Sequence, residues 1–231
     1  MTEKQALVIA HRGASGYEVE NSIAAFRAAA DRGADAVELD IHATADGALI
    51  VHHDERIGEH LIAHSSLHQI RAHRLPNGEP IPILEEALAA IVPRMIACVE
   101  IKGLASRWDE RLFEAIDRTG APAQVMLHGF DHRIIHRMGE KRPLIHRGVL
   151  SASYPMQPVR AIEDADAGIL WQEAGHVDEA LVGAVHAAGF QLFVWVVDEV
   201  EAMRRFLSIG VDGLCTNLPD VARGAVDSPP R

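Results

Sequence analysis

Short apolar runs that alternate with helical patterns are the feature that most limits how this chain can fold. The runs predict strands at 7–11, 37–41, 95–102, 124–128, 144–150, 168–172, 190–196 and 212–216. Strands separated by helices form βα units and a mainly parallel sheet. Eight such units close into a barrel, whose usual size of about 250 residues is close to the 231 residues of this chain.

We therefore predict an α/β fold with one domain, a single TIM-type (β/α)8 barrel over residues 1–231. An extra antiparallel strand at 49–53 pairs after strand 2, and residues 222–231 are expected to be a flexible tail. The alternative is an open doubly wound sheet. That alternative is weaker because no glycine-rich dinucleotide-binding fingerprint follows the first strand.

The segment 34–55 predicts a hairpin that gathers charged side chains. Apolar and polar residues alternate from 37 to 42, as in a strand with two different faces. The pair Asp46-Gly47 favours a two-residue type I′ turn. In that register Asp40 lies opposite His53, and Glu38 shares their face. Two carboxylates and an imidazole would then lie a few ångströms apart.

The surroundings of these carboxylates decide between two interpretations. On an isolated hairpin, the polar face would simply be solvated. In a parallel sheet covered by helices, both faces of a strand are buried. Two inward-facing carboxylates repel each other there and resist ionisation unless a cation neutralises them. The sequence therefore predicts a metal site.

The C-terminal ends of the strands carry the remaining candidates, because active sites of such barrels lie there. Beyond the hairpin, those ends bear His11, Arg12, Glu100, Lys102, His128 and Trp195. Three carboxylates from two strands suit one oxygen-preferring divalent cation, Mg²⁺ or Ca²⁺. Zinc would more often recruit histidine or cysteine. For Glu100 and Lys102 the alternative is a structural ion pair inside the barrel.

Two histidines are the predicted acid–base pair. Imidazole titrates near pH 6.5, so His11 and His53 can accept and donate protons at neutral pH. Arg12 and Lys102 supply fixed positive charge that suits a phosphate group. Six further histidines are interpreted as surface residues without a partner: His42, His52, His60, His64, His68 and His73.

Several motifs resemble those of the glycerophosphodiester phosphodiesterase family. They are the run HRGASGYEVENSIAAFRAAADRGADAVELDIHATADGALIVHHD at 11–54, and the later fragments IPILEEAL, VEIK, WVVDE and GVDGLCTNLPD. The resemblance covers most of the chain. It implies a TIM-type barrel with one divalent cation that hydrolyses glycerophosphodiesters to glycerol 3-phosphate and an alcohol. It also suggests internal attack by the glycerol C2 hydroxyl, followed by hydrolysis of a cyclic phosphate.

The resemblance also implies roles for individual residues. Those with matching positions are Glu38, Asp40 and Glu100 as metal ligands, His11 and His53 as catalytic residues, Arg12 and Lys102 as phosphate contacts, and Glu20 as an acidic residue ahead of the first helix. His128 and Trp195 are expected around the substrate mouth. The chain departs from the family pattern at 55–66, at 128–129, where a serine is usual, and at Asp198, where an asparagine is usual. These departures leave the preferred alcohol open.

Composition bears on partners and location. The formal net charge is −11 and no run of Lys or Arg occurs, which argues against a nucleic-acid partner and against docking on anionic membranes. No segment is long and apolar enough for a membrane span, and the N-terminal apolar run is too short for a signal peptide. Two cysteines within apolar runs indicate reduced thiols. We therefore expect a soluble, cytoplasmic protein with a small-molecule phosphodiester substrate; the sequence indicates no oligomeric state.

Two other functions compete with glycerophosphodiester hydrolysis. A non-catalytic barrel that binds phosphate or metal would require a damaged site, whereas every predicted ligand and catalytic position is intact. A lysophospholipase D-like enzyme would act on lysophospholipids. An apolar groove beside the site would favour that activity, and the divergent segment 55–66 leaves it open.

Overall fold

The parallel strands close into a barrel in the computed structural model, which describes residues 5–228. Its strands are β1 (Leu7–Ala10), β2 (Ala36–Ala43), β3 (Leu49–Val51), β4 (Arg56–Ile57), β5 (His60–Leu61), β6 (Ile96–Gly103), β7 (Val125–Gly129), β8 (His146–Ser151), β9 (Ile169–Glu173), β10 (Gln191–Trp195) and β11 (Gly213–Thr216). The order around the barrel is β1-β11-β10-β9-β8-β7-β6-β2, and β1 closes it by pairing with β2. β3 adds an antiparallel strand beside β2, while β4 and β5 form a separate ribbon. The predicted fold class is confirmed.

Helices cover the outside of the barrel. They are α1 (Ile23–Asp31), α2 (Leu67–Ile70), α3 (Leu84–Ile91), α4 (Asp109–Asp117), α5 (His132–Lys141), α6 (Arg160–Asp164), α7 (Glu179–Ala187), α8 (Val200–Ser208) and α9 (Pro219–Asp227). Side-chain caps fix several starts; the Ser22 hydroxyl, for example, accepts the backbone N–H of Ala25 at 3.0 Å. Within residues 5–228, no helix is both long and apolar enough to cross a membrane.

The C-terminal segment corrects one prediction. Residues 222–227 were expected to belong to a flexible tail, but they form the last six residues of α9. Ala222, Ala225 and Val226 are buried, because α9 packs against β1 and α8. The helical spacing of these small apolar residues outweighs the glycine and serine around them. Ser228 follows the helix as its C-cap, and the last part of the predicted tail, 229–231, lies outside the described residues.

Apolar residues pack in three clusters. The largest lies between the barrel and its helices. A second fills the barrel interior, where Trp171 packs over Gly148; a Cβ on that glycine would lie 2.6 Å from the indole. Glycine therefore makes room there for a large aromatic side chain. The third, which we call the isoleucine cluster, lies within the segment that leads from β3 to α3: Ile50, Ile57, Ile62, Ile70, Leu75 and Ile81.

The β2–β3 hairpin has a register one residue away from the predicted one. Ile41 pairs with Val51, and the backbone N–H of His52 donates to the carbonyl of Asp40 at 3.1 Å. The predicted pairing of Asp40 with His53 is therefore wrong. His53 follows the end of β3 and belongs to the loop beyond it.

The turn of this hairpin explains the difference in register. The N–H of Thr44 donates to the carbonyl of Ala48, so three residues, not two, form the loop. Gly47 takes the left-handed conformation at φ +84°, as in the common three-residue hairpin. The hydroxyl of Thr44 donates to Asp46 at 2.6 Å, and the Asp46 carboxylate accepts the N–H of Leu67 at 3.0 Å. Side-chain bonds thus favour the longer loop.

Candidate active site

A pocket of about 240 Å³ lies at the C-terminal ends of the barrel strands. The residues that line it are His11, Arg12, Glu38, His53, Glu100, Lys102, His128, Phe130, Leu150, Trp171, Trp195 and Cys215. Eight of the ten residues singled out from the sequence are among them. The other two pair with lining residues: Asp40 lies beside Lys102 and Arg12, and Glu20 lies beside Arg12.

The three predicted ligand carboxylates are all buried. Asp40 on β2 pairs with Glu100 on β6. Glu38 lies two residues before Asp40 on the same face of β2. Burial raises the pKa of Glu38 well above its ordinary value, and the charges of Asp40 and Glu100 add to that shift. Burial also raises the pKa of Glu100, although Lys102 opposes the shift. Two of the three carboxylates thus lack enough neighbouring positive charge to offset the cost of ionisation in a buried site.

Asp40, in contrast, is neutralised by its neighbours. Lys102 Nζ lies 2.9 Å from Asp40 Oδ1 and 2.7 Å from Glu100 Oε1. Arg12 Nε lies 3.4 Å from Asp40 Oδ2, to which the Asn21 amide also donates at 2.8 Å. Burial alone would raise the pKa of Asp40, but Lys102, Asn21 and Arg12 together lower it below its ordinary value.

His128 lies deep in the pocket, although the sequence placed it at the substrate mouth. Its ring stacks on Trp171 with centroids 4.2 Å apart, and only 1 % of the residue is exposed. Burial lowers the pKa of His128 to about 3, so its imidazole is neutral. One ligand atom each from Glu38, Glu100 and His128 lie within 4.8 Å of one another, and the three can hold a metal ion.

Arg12 connects the carboxylates to the mouth of the pocket. Its backbone has φ +55°, the left-handed region that is uncommon for a side chain of this size. In that conformation its N–H donates to Glu38 Oε2 at 3.0 Å. Its guanidinium forms two hydrogen bonds with the Glu20 carboxylate, at 2.9 and 3.0 Å. The strained backbone thus aims one donor inward and the charged group toward the opening.

The two predicted catalytic histidines have different partners. His11 Nδ1 lies 2.8 Å from the amide oxygen of Asn217, and burial lowers the pKa of His11. His53 Nδ1 lies 2.8 Å from the Asp54 carboxylate, and its side chain is 36 % exposed. His42 Nε2 donates to the carbonyl of His53 at 3.0 Å. The interpretation of His42 as a surface residue without a partner is therefore wrong.

An apolar wall faces the charged side of the pocket. Trp195 and Phe130 meet edge to face with centroids 5.9 Å apart, and half of Phe130 is exposed. Leu150 and Trp171 continue this wall inward. The wall gives a bound organic group an apolar surface next to the carboxylates and cations.

Sequence reasoning gave no site role to four polar residues that hold the site together. Asn21 is buried, and its amide donates to Asp40. Asp54 and Asn217 bond to the two histidines, and Asp198 bonds to Asn217. A signal existed for two of them, because Asp54 directly follows His53 and Asn217 directly follows the last barrel strand.

This barrel carries its charged groups at the carboxyl ends of its strands, and its relatives are phosphoric diester hydrolases. The chain therefore belongs to that class of enzyme. The membership can be stated more narrowly. Residues 11–221 match the model of the glycerophosphoryl diester phosphodiesterase family, and the chain is a member of that family. The predicted family is thereby confirmed.

Individual relatives agree with this membership. A glycerophosphodiester phosphodiesterase of Caldanaerobacter subterraneus subsp. tengcongensis is 32 % identical, with 93 % of this chain and 95 % of the relative covered. A glycerophosphodiester phosphodiesterase structure from Parabacteroides distasonis has a TM-score of 0.88 at 22 % identity, covering 97 % of this chain and 98 % of that one. A phosphodiesterase from Oleispira antarctica, in complex with the product sn-glycerol-3-phosphate, has a TM-score of 0.86 at 23 % identity with the same coverage. At such identities the two structures support the fold.

Proposed function

We propose that this chain hydrolyses glycerophosphodiesters to glycerol 3-phosphate and an alcohol, and that the reaction depends on one divalent cation, Mg²⁺ or Ca²⁺. Family membership supports the phosphodiester substrate. The product bound in the Oleispira antarctica structure supports glycerol 3-phosphate as the product. The two free, buried thiols, Cys98 and Cys215, suit a cytoplasmic location.

The observation that carries the proposal is the shortage of positive charge around two buried carboxylates. Glu38 and Glu100 both have a raised pKa, and His128 beside them is neutral. Oxygen donors in such a group suit Mg²⁺ or Ca²⁺. We assign Glu38, Asp40 and Glu100 as the ligands, with His128 within reach. When bound, the cation would act as a Lewis acid on a phosphoryl oxygen and promote ionisation of a hydroxyl group or water.

The side chains around this group fit the other requirements of phosphodiester cleavage. Arg12 and Lys102 bring two fixed positive charges to the pocket, where the phosphate gains negative charge on attack. His11 and His53 each have Nδ1 engaged by a partner, which leaves Nε2 for proton transfer. One imidazole takes a proton from the attacking oxygen and the other gives a proton to the leaving oxygen.

Turnover of glycerophosphocholine tests the proposal directly, with release of glycerol 3-phosphate as the readout. We expect chelation to abolish turnover and Mg²⁺ or Ca²⁺ to restore it. His11→Ala and His53→Ala should each reduce kcat by about 10²–10⁴-fold, the usual worth of a positioned acid or base. His186→Ala is the matched control, since His186 Nε2 lies 2.8 Å from Asp212 Oδ2 and neither residue lines the pocket.

Three outcomes would contradict the proposal. Full activity after removal of metal would exclude a dependence of the reaction on a divalent cation. Activity of both histidine variants within a few-fold of the unmodified protein would exclude the acid–base pair. Binding of glycerophosphocholine without turnover would favour the non-catalytic barrel.

A lysophospholipase D-like activity is the second candidate, and the apolar wall favours it. Phe130 is half exposed beside Trp195 and Leu150, so an acyl chain can lie against them. A comparison of kcat/KM on glycerophosphocholine and on a long-chain lysophosphatidylcholine separates the two functions. Phe130→Ala should lower turnover of the long-chain substrate selectively if this activity is the main one.

A further inference from the structure

A line of hydrogen bonds leads from His11 away from the pocket. His11 Nδ1 lies 2.8 Å from Asn217 Oδ1, and Asn217 Nδ2 donates to Asp198 Oδ2 at 2.6 Å. The other carboxylate oxygen of Asp198 accepts the Thr216 hydroxyl at 2.9 Å and the backbone N–H of Asn217 at 2.8 Å. Asp198 is thereby held by three bonds from the end of β11 and the residue after it. None of these bonds involves a carboxylate of the proposed metal site.

The chemistry of these groups fixes the direction of every bond. A carboxylate at neutral pH only accepts hydrogen bonds, so the NH₂ group of Asn217 must face Asp198. The amide oxygen of Asn217 then faces His11, and an amide oxygen also only accepts. The hydroxyl of Ser15 lies 2.7 Å from the same oxygen, to which it can donate. The proton on the neutral His11 ring must therefore be on Nδ1.

We propose that Asn217, oriented by Asp198, is a positioning residue that holds His11 in the tautomer with its proton on Nδ1 and its lone pair on Nε2. This inference rests on the proposed function, in which His11 takes part in proton transfer. In this tautomer His11 enters the reaction as the proton acceptor. His53, whose Nδ1 faces the Asp54 carboxylate, is the other imidazole of the pair, and we assign it as the proton donor.

The proton balance of the cleavage step follows. His11 Nε2 takes the proton of the attacking oxygen as the new P–O bond forms, and His53 gives its proton to the leaving oxygen as the old P–O bond breaks. The imidazolium formed at His11 keeps its Nδ1–H bond to Asn217. The carboxylate of Asp198 lies one amide further away and takes no part in the proton transfer.

The test inverts the direction of these bonds. In Asp198→Asn, the introduced amide keeps its oxygen toward the backbone N–H of Asn217, which can only donate, so its NH₂ group faces the NH₂ group of Asn217. The amide of Asn217 must then turn over to avoid that contact. Its nitrogen then donates to His11 Nδ1, and the ring proton moves to Nε2. In the double variant D198N/N217D, the amide introduced at position 198 can donate to the carboxylate introduced at position 217. That carboxylate can in turn accept the Nδ1 proton of His11, so the reciprocal exchange should restore the original tautomer.

Two readouts are measured on the full chain. Two-bond ¹H–¹⁵N spectra of ¹⁵N-histidine-labelled protein report the tautomer, and the His11 signals are assigned by their loss in His11→Ala. Steady-state kinetics on glycerophosphocholine report kcat and KM. We expect D198N to move the His11 proton to Nε2 and to lower kcat about 10–10³-fold with KM within about threefold, because a base in the wrong tautomer is lost. The double variant should recover both properties.

Asp212→Asn is the matched control, because Asp212 also accepts a hydrogen bond from a histidine, His186, but outside the pocket. It should leave kcat and the His11 spectrum unchanged. Three results would overturn the inference: a His11 proton on Nε2 in the unmodified protein, a D198N variant with unaltered tautomer and kcat, or a double variant no better than D198N. If D198N does not fold, the His11 tautomer in the double variant alone tests the inference.

The same experiments distinguish failure of the proposed function from failure of this inference. If His11→Ala keeps its turnover, His11 is not a proton-transfer residue, yet the spectra still report whether Asn217 fixes its tautomer. If His11→Ala is inactive and D198N is fully active in the same tautomer, the proposed function stands and the role of Asn217 and Asp198 is wrong.

Discussion

Glu38→Gln should make the metal-free protein more stable while it removes the proposed metal site. Glu38 is buried, and its nearest ligand oxygen lies within 4.8 Å of that of Glu100. Two charges at that separation repel by roughly 3.5 kcal/mol at an effective dielectric constant of about 20. The glutamine keeps an oxygen for the backbone N–H of Arg12, which donates to Glu38 at 3.0 Å.

Protonation limits how large the effect can be. Burial raises the pKa of Glu38 above its ordinary value of 4.5, so the folded protein can relieve the repulsion by holding a proton. Neutral pH lies about 2.5 units above 4.5, and each unit is worth about 1.36 kcal/mol, which gives a ceiling of about 3.4 kcal/mol. We expect about 2 kcal/mol of stabilisation, because the glutamine NH₂ needs a new partner. For a chain of this size that raises Tm by about 4–8 °C.

The pH dependence gives the sign of the effect. Because the folded-state pKa is raised, the contribution of Glu38 to stability is complete below its ordinary pKa and is lost as pH rises through the folded-state value. Thermal unfolding with a chelator should therefore show a Glu38→Gln advantage at pH 8 that disappears near pH 4.5. Added Mg²⁺ or Ca²⁺ should stabilise the unmodified protein and not the variant. Glu114→Gln, on the exposed face of α4, is the control. An equal gain at both pH values, or no gain, would refute the reasoning.

Three further outcomes can be checked. A substrate whose C2 oxygen is methylated should lose turnover far more than binding if the C2 hydroxyl attacks first, and kcat and KM measured on this analogue decide it. Arg12→Lys should lower kcat/KM about tenfold, since lysine cannot make the two bonds to Glu20 while lying beside Asp40; an unchanged kcat/KM would contradict this. Gly148→Ala should cost about 1–3 kcal/mol by displacing Trp171, and chemical denaturation measures the loss.

The parts of the structure that depend on local pattern could be predicted from the sequence. Strand and helix positions follow from the alternation of apolar runs, and strand ends in a parallel barrel meet on one side. That is why His11 meets Glu100 and Lys102 at the pocket although His11 lies far from both in sequence. The location of the pocket therefore needed no knowledge of side-chain contacts.

Details set by individual side-chain bonds could not be predicted. The hairpin register depended on whether Thr44 and Asp46 would bond to each other, which adds one residue to the turn. The pattern of turn residues permits both loops. The depth of His128 depended on a stack with Trp171, two strands away in the barrel. Such contacts depend on packing between elements, and the periodicity of the sequence does not show them.

The isoleucine cluster has a consequence for how this barrel can change. It is a small core apart from the main one, and the segment above it begins and ends at neighbouring points, where the N–H of Val51 donates to the carbonyl of Pro82 at 2.9 Å. A segment with its own core and adjoining ends can be exchanged for another without disturbing the strands that hold Glu38 and Glu100, provided that His53 and Asp54 at its start are kept. Evolution or loop grafting can thus replace the residues after Asp54 while the barrel strands and the pocket are inherited intact.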